Sequence, residues 1–149
     1  MNLITNRTPG IAALITALLC ACTSTEHLAT EQEPTMQIQF LEIVTPEVDA
    51  TCNSLAKLHS VTFSDAVAEF GNARTAQLSC GGLLSVRAPM HADETPVVRP
   101  YMLVDDIEAA TKAAEAAGGE IALPPTEIPG RGTFSIYFQG GIQHGLWQV

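Results

Sequence analysis

A stretch of this sequence repeats itself, and the repeat limits what the chain can fold into. Val48-Asp49-Ala50 recurs as Ile107-Glu108-Ala109, Gly81-Gly82-Leu83 as Gly140-Gly141-Ile142, and Ile43-Val44 as Met102-Leu103, all at one offset of 59 residues. Separated matches at a single spacing are hard to get by chance and mark two copies of one supersecondary unit. The fold is therefore built from two similar halves.

The second copy is the easier to read. Tyr101 to Val104 is an apolar strand, and Asp105 and Asp106 stand where a helix N-cap accepts bonds from free amides. Ile107 to Ala117 is alanine-rich and helix-favouring, and Gly118-Gly119 stops it. Glu120 to Leu123 is a short strand that ends at Pro124-Pro125, and Thr133 to Phe138 has the β-branched and aromatic content of a central strand. Gly140-Gly141 turns the chain into a last strand, Ile142 to Gln148. The first copy repeats this order: a strand over Gln37 to Val44, a helix from Val48 to Leu58, a short strand near Val61, and two strands flanking Gly81-Gly82. The prediction is an α+β domain of two tandem βαβββ modules, residues 36–90 and 97–149. The connector, 91–96, lies in the proline- and acid-containing run Pro89 to Pro96.

A tandem βαβββ pair resembles the vicinal oxygen chelate superfamily, which includes glyoxalase I, bleomycin-resistance proteins and extradiol dioxygenases. The resemblance covers Met36 to Val149. It is carried most specifically by Tyr101-Met102-Leu103-Val104-Asp105-Asp106-Ile107-Glu108-Ala109-Ala110, by Gly118-Gly119 and by the closing Gly145-Leu146-Trp147-Gln148, and it is nearest to the hydroxylase-like branch. It implies two modules whose strands curl into a cup, with ligand on the concave face and helices on the convex one.

In metal-dependent members of that superfamily, His, Glu or Gln ligands sit near the start of the first strand and on the last strand of each module. Carried onto this chain by the repeat, those four places fall on Phe40, Val86, Arg99 and Gly145, none of which donates a lone pair to a metal. A slip of one residue would put Gln39 at the first place, and one amide oxygen does not make a site. No metal and no other cofactor is expected.

Strand alternation assigns the concave face to Phe40, Glu42, Val44, Arg99, Tyr101, Leu103, Gln143 and Trp147. An apolar floor from Phe40, Val86 and Trp147, with directed polar groups from Glu42, Arg99, Tyr101 and Gln143, suits a small organic ligand. Trp147 would stack on a planar ligand, and Arg99 would meet a carboxylate or phosphate at two points. The competing reading makes Glu42 and Arg99 a structural pair and Trp147 plain core. Of the four histidines, His27, His59 and His91 lie in a tether, a helix end and the connector. His144, on the last strand, is read as a structural or rim residue before a catalytic base.

Ile128-Pro129-Gly130-Arg131-Gly132 lacks the strand-loop-helix setting of a phosphate loop and is read as a hairpin connection whose Arg131 reaches the cup mouth. There is no G-x-S-x-G, so no nucleophile elbow. Cys52 and Cys80 match no metal or redox spacing. They are read as two separate buried thiols, with a disulfide as the alternative.

Residues 1–22 differ in kind from the rest. Arg7 precedes an apolar run, Ile11 to Leu19, too short to span a bilayer, and Leu19-Cys20-Ala21-Cys22 resembles a bacterial lipobox. Cys22 is the candidate for lipidation, because Ala21 is the small residue that cleavage needs; an ordinary signal peptide or uncleaved anchor is the alternative. Residues 23–35 form a polar tether, and Thr23 after the cysteine favours the outer membrane of a Gram-negative cell. Seven Lys and Arg against sixteen Asp and Glu give a net charge of −9, which argues against a nucleic-acid partner.

Two functional classes remain. One is a cell-envelope module, lipid-anchored, that binds a small organic molecule in a metal-free cup. The other is an enzyme of the same superfamily (lyase, dioxygenase, hydroxylase or isomerase) with displaced metal ligands or with Glu42 or His144 moving a proton. Either could act as one chain or as a homodimer that exchanges modules.

Overall fold

The computed structural model describes residues 35–149. The expected export signal, Cys22, His27 and nearly all of the expected tether lie outside the described residues.

Module 1 runs β1 (Ile38–Val44), α1 (Val48–His59), a single 3₁₀ turn (Ala68–Phe70), β2 (Arg74–Gln77) and β3 (Leu83–Arg87). Module 2 runs β4 (Val97–Leu103), α2 (Ile107–Ala116), β5 (Glu120–Ile128), β6 (Gly132–Gln139) and β7 (Ile142–Gln148). All seven strands join one mixed sheet in the order β2-β3-β1-β4-β7-β6-β5. This is the paired-module, curved-sheet α+β fold expected from the repeat. In each module the first strand lies parallel to the last, β1 with β3 and β4 with β7, and the modules meet where β1 runs antiparallel to β4.

Both helices fold for the same reason. Positions 48, 51, 52, 55 and 56 of α1, and 107, 110, 111 and 114 of α2, are the ones withdrawn from solvent, the spacing of one apolar stripe on a helix. Asp106 caps α2 by accepting the Ala109 N–H at 2.9 Å. Beneath α1, Cys52 packs with Phe63, Ala76, Leu84 and Val86. Cys52 and Cys80 are both free thiols; Cys52 is buried as expected, but Cys80 is exposed, a correction to the reading of two buried thiols. Under α2, the hydroxyls of Thr111 and Ser135 satisfy each other at 2.9 Å.

The structure corrects the sequence reading in several places. No strand forms near Val61. The Ser64 amide donates to the Thr75 carbonyl at 2.8 Å, but Ser64 Oγ, not a carbonyl, takes the Thr75 N–H at 3.0 Å. A side chain that substitutes for the backbone acceptor ends the ladder after one rung, so module 1 has three strands and module 2 four. β4 begins at Val97, ahead of Tyr101. β5 continues through Pro124-Pro125 to Ile128 where a break was expected. As the outermost strand it has one side on which no N–H is required, and its register slips between Ile121 and Leu123 and again before Thr126.

The offset also shifts within the repeat. Ser85 pairs with Glu42 on β1, and Gly145 pairs with Tyr101 on β4. Glu42 and Tyr101 are 59 residues apart but Ser85 and Gly145 are 60 apart. One residue of slip reverses a strand's faces. Val86 therefore belongs to the cluster under α1, not to the cup floor, and its neighbour Arg87 points inward in its place.

Candidate functional site

The concave face of the sheet is assembled from both modules. Phe40 and Glu42 come from β1, Arg87 from β3, Arg99 and Tyr101 from β4, Phe134 and Ile136 from β6, and Trp147 from β7; together they line a cavity of about 200 Å³. Phe70, from the 3₁₀ turn, and Met90, at the end of module 1, also line it. The cavity has one aromatic wall and one charged floor.

The aromatic wall is a continuous cluster. Trp147 stacks on Phe40 at 4.9 Å between ring centroids and on Phe134 at 5.8 Å, while Tyr101 meets it edge-on at 5.8 Å. Trp147 is 4% exposed. The indole is thus packed among protein rings and nearly withdrawn from solvent, which favours the reading of Trp147 as core that builds the wall over one that stacks on a planar ligand. Gly145 explains how Tyr101 fits: a Cβ there would lie 2.1 Å from the Tyr101 ring. Only glycine lets the ring cross β7 at this point.

The charged floor is a chain of alternating sign. Glu42 accepts Arg87 Nε on Oε1 at 2.6 Å, and on Oε2 it accepts Arg99 Nη1 and, at 3.0 Å, the Tyr101 hydroxyl. Arg99 also gives Nε (2.7 Å) and Nη2 to Gln143 Oε1. Arg87 extends the chain to Glu94, with two parallel bonds of 2.8 and 2.6 Å. Glu42, Arg87 and Arg99 are all buried. The two guanidiniums and two carboxylates cancel, and each nitrogen of Arg99 already makes at least one bond, which favours the reading of Glu42 and Arg99 as a structural pair over a free ligand grip. Burial, reinforced by the Glu42 charge and partly offset by Arg99, pushes the Tyr101 hydroxyl well above the ordinary tyrosine value.

Of the residues singled out from sequence, Phe40, Glu42, Arg99, Tyr101 and Trp147 converge on this cavity, and Gln143 touches it through Arg99. Val44 and Leu103 do not line it. His144 faces away from the cup and stacks on Tyr137 at 5.2 Å, which removes it as a base for anything bound there. Arg131 does not line the cavity but lies over one of its lining residues, its guanidinium carbon 5.3 Å from the centre of the Phe70 ring. Arg87, Glu94, Phe70, Phe134 and Ile136 were missed. An offset of 60 on the last strand would have found Arg87, and alternation along Phe134, Ile136 and Phe138 the β6 wall. Nothing local marks Glu94.

Glu94 ties the connector to the cup. Its carboxylate is held down to about 2 from an ordinary 4.5, first by the hydrogen bonds from Arg87, against the opposing effect of burial, and then by the Met90 N–H. A depressed carboxylate stabilises the fold above its unfolded value, and that contribution disappears as pH falls through the folded one. Urea denaturation at a series of pH values is expected to show the parent weakening between about pH 4.5 and 2, with Glu94→Gln less stable at neutral pH and flatter across that window.

Comparison with known proteins establishes the fold. No protein-family model matches the chain. In sequence it is 25% identical over 126 residues to the anthracycline biosynthesis protein DnrV of Streptomyces peucetius, covering 73% of this chain and 46% of that one. The chain thus spans about half the length of that curated relative. In structure, a hypothetical protein of Bacillus halodurans matches with a TM-score of 0.63 at 7% identity, over 78% of this chain and 96% of the other. Methylmalonyl-CoA epimerase of Mycobacterium tuberculosis matches at 0.56 and 12%, over 74% and 86%. The Streptomyces coelicolor epimerase bound to 2-nitronate-propionyl-CoA matches at 0.55 and 15%, over 75% and 96%.

Proposed function

We propose that this chain is a protein of the vicinal oxygen chelate superfamily whose cup binds a small organic molecule with a planar, apolar body and holds no resident metal. The observation that carries this reading is the cavity itself. Its wall is aromatic, and its floor charges are spent on one another, so an apolar guest meets no unpaired ion. An apolar cavity of about 150 Å³ accepts a benzene-sized guest, and this one, at about 200 Å³, fits one or two fused rings. DnrV, a protein of anthracycline biosynthesis by name, lends support as a relative concerned with an aromatic product.

The residues present do not fit a metal. Among the described residues no three His, Cys, Asp or Glu side chains converge. Both oxygens of Glu42, the carboxylate at the floor, already accept from guanidiniums. The same bonds count against the enzymatic alternative in which Glu42 takes a proton, since it would have to surrender its ion pairs.

Calorimetric titration with 2-naphthol is expected to give saturable one-to-one binding, lost in Ile136→Trp, which fills the cavity from its wall. Absence of saturable binding, or a stoichiometric divalent metal on the purified protein, overturns the reading. We also place the cup in the cell envelope through lipid on Cys22, supported by the lipobox-like Leu19-Cys20-Ala21-Cys22. Incorporation of labelled palmitate that persists in Cys22→Ser would refute this.

A further inference from the structure

Beside the cavity already described lies a second, of about 250 Å³, whose lining includes His91, Asp93, Thr95, Phe138 and Gln143. The two share Arg99, Leu123 and Ile136 as a common wall. Leu123 and Ile136 are a cross-strand pair, and the register of β5 slips on either side of Leu123. Irregularities of this kind re-aim side chains beside binding sites, and here an aromatic chamber and a polar one adjoin at Arg99, Leu123 and Ile136.

Glu94 and Arg99 also line the second chamber and are committed to Arg87 and to Glu42; its other polar groups are not. A guanidinium only donates, so Gln143 presents Oε1 to Arg99 and turns its amide hydrogens away. In the connector, the side-chain hydrogen bonds among the described residues are made by Glu94, which leaves Asp93, Thr95 and His91 free. The chamber thus offers a pure donor (Gln143 Nε2), a pure acceptor (Asp93) and two groups that do both.

We propose that this second chamber is a subsite for a polyhydroxylated, sugar-like substituent carried by the planar ligand. The proposal rests on the reading of the cup given above. Hydroxyl groups both donate and accept, so they satisfy Gln143 and Asp93 together. An ammonium leaves the Gln143 N–H unmet, and a carboxylate or phosphate meets Asp93 with like charge in a chain of net charge −9.

The test compares 2-naphthol with 2-naphthyl β-D-glucopyranoside by calorimetric titration of the purified protein. The glucoside is expected to bind at least tenfold more tightly. Because Asp93 and Thr95 are exposed, the double variant Asp93→Ala/Thr95→Val keeps the fold, and it is expected to lower the glucoside to the affinity of the naphthol while leaving the naphthol unchanged. Equal affinities on the parent, or a variant that weakens both probes alike, overturn the subsite and leave the cup reading intact. If neither probe binds, the cup reading fails and the subsite fails with it.

Discussion

Replacing Glu42 with glutamine is expected to cost the folded domain about 3–5 kcal/mol, the range for removing one partner of a buried ion pair. Glu42 stands between Arg87 and Arg99 and bonds to both. The loss falls unequally on them. Arg87 keeps Glu94, whereas Arg99 is left with neutral partners, Gln143 and the Tyr101 hydroxyl. A cation that is 5% exposed cannot recover its hydration, so the penalty is that of an uncompensated charge more than of a lost contact. Two measurements separate these causes. Urea denaturation of Glu42→Gln gives the size of the loss, and the double variant Glu42→Met/Arg99→Met, which removes charge of both signs, is expected to regain most of it. A loss below about 1 kcal/mol, the level of a solvent-screened surface pair, would show that water reaches the floor of the cup.

That floor was only partly legible in the sequence, and the division follows the reach of each interaction. Helices α1 and α2 announce themselves through side chains within one turn of each other, and the hairpin between β6 and β7 through Gly140 and Gly141, whose φ of 60° and 77° few other residues adopt. Phe40, Glu42, Arg99 and Tyr101 were placed on one face because alternation along a single strand is local. The failures came from relations between strands. A one-residue slip of the repeat between β1 and β3 exchanged Arg87 for Val86, and the Ser64 hydroxyl, standing in for a backbone carbonyl, cancelled a strand that apolar pattern alone allowed. Glu94 reaches the site from a connector with no periodicity, drawn in by a guanidinium whose own position depended on that slip. The cup is therefore legible before its electrostatics are: the strands allow Arg99 either as a ligand grip or as the partner of Glu42, and its contacts with Glu42 and Gln143 favour the second.

Trp147→Ala is expected to cost about 3–5 kcal/mol of stability, as for a buried tryptophan truncated in a core, and this decides between the two roles the residue had in the sequence. A ligand-stacking tryptophan at a cup rim would leave the fold almost untouched when truncated and would abolish binding outright. Here the indole is sandwiched by Phe40 and Phe134 and crossed by Tyr101 and Phe70, so its removal opens a void that four rings border. Their packing is too dense to close it fully. Trp147→Phe keeps a ring in the stack and is expected to lose much less stability, and to retain binding of 2-naphthol, because it preserves an aromatic wall around the cavity. Denaturation and titration of both variants test the point together. If Trp147→Ala stays within about 1 kcal/mol of the parent while losing all affinity, below the usual cost of opening a core cavity, then the ring is a ligand contact, and the stacked arrangement of Phe40, Trp147 and Phe134 does not persist in solution.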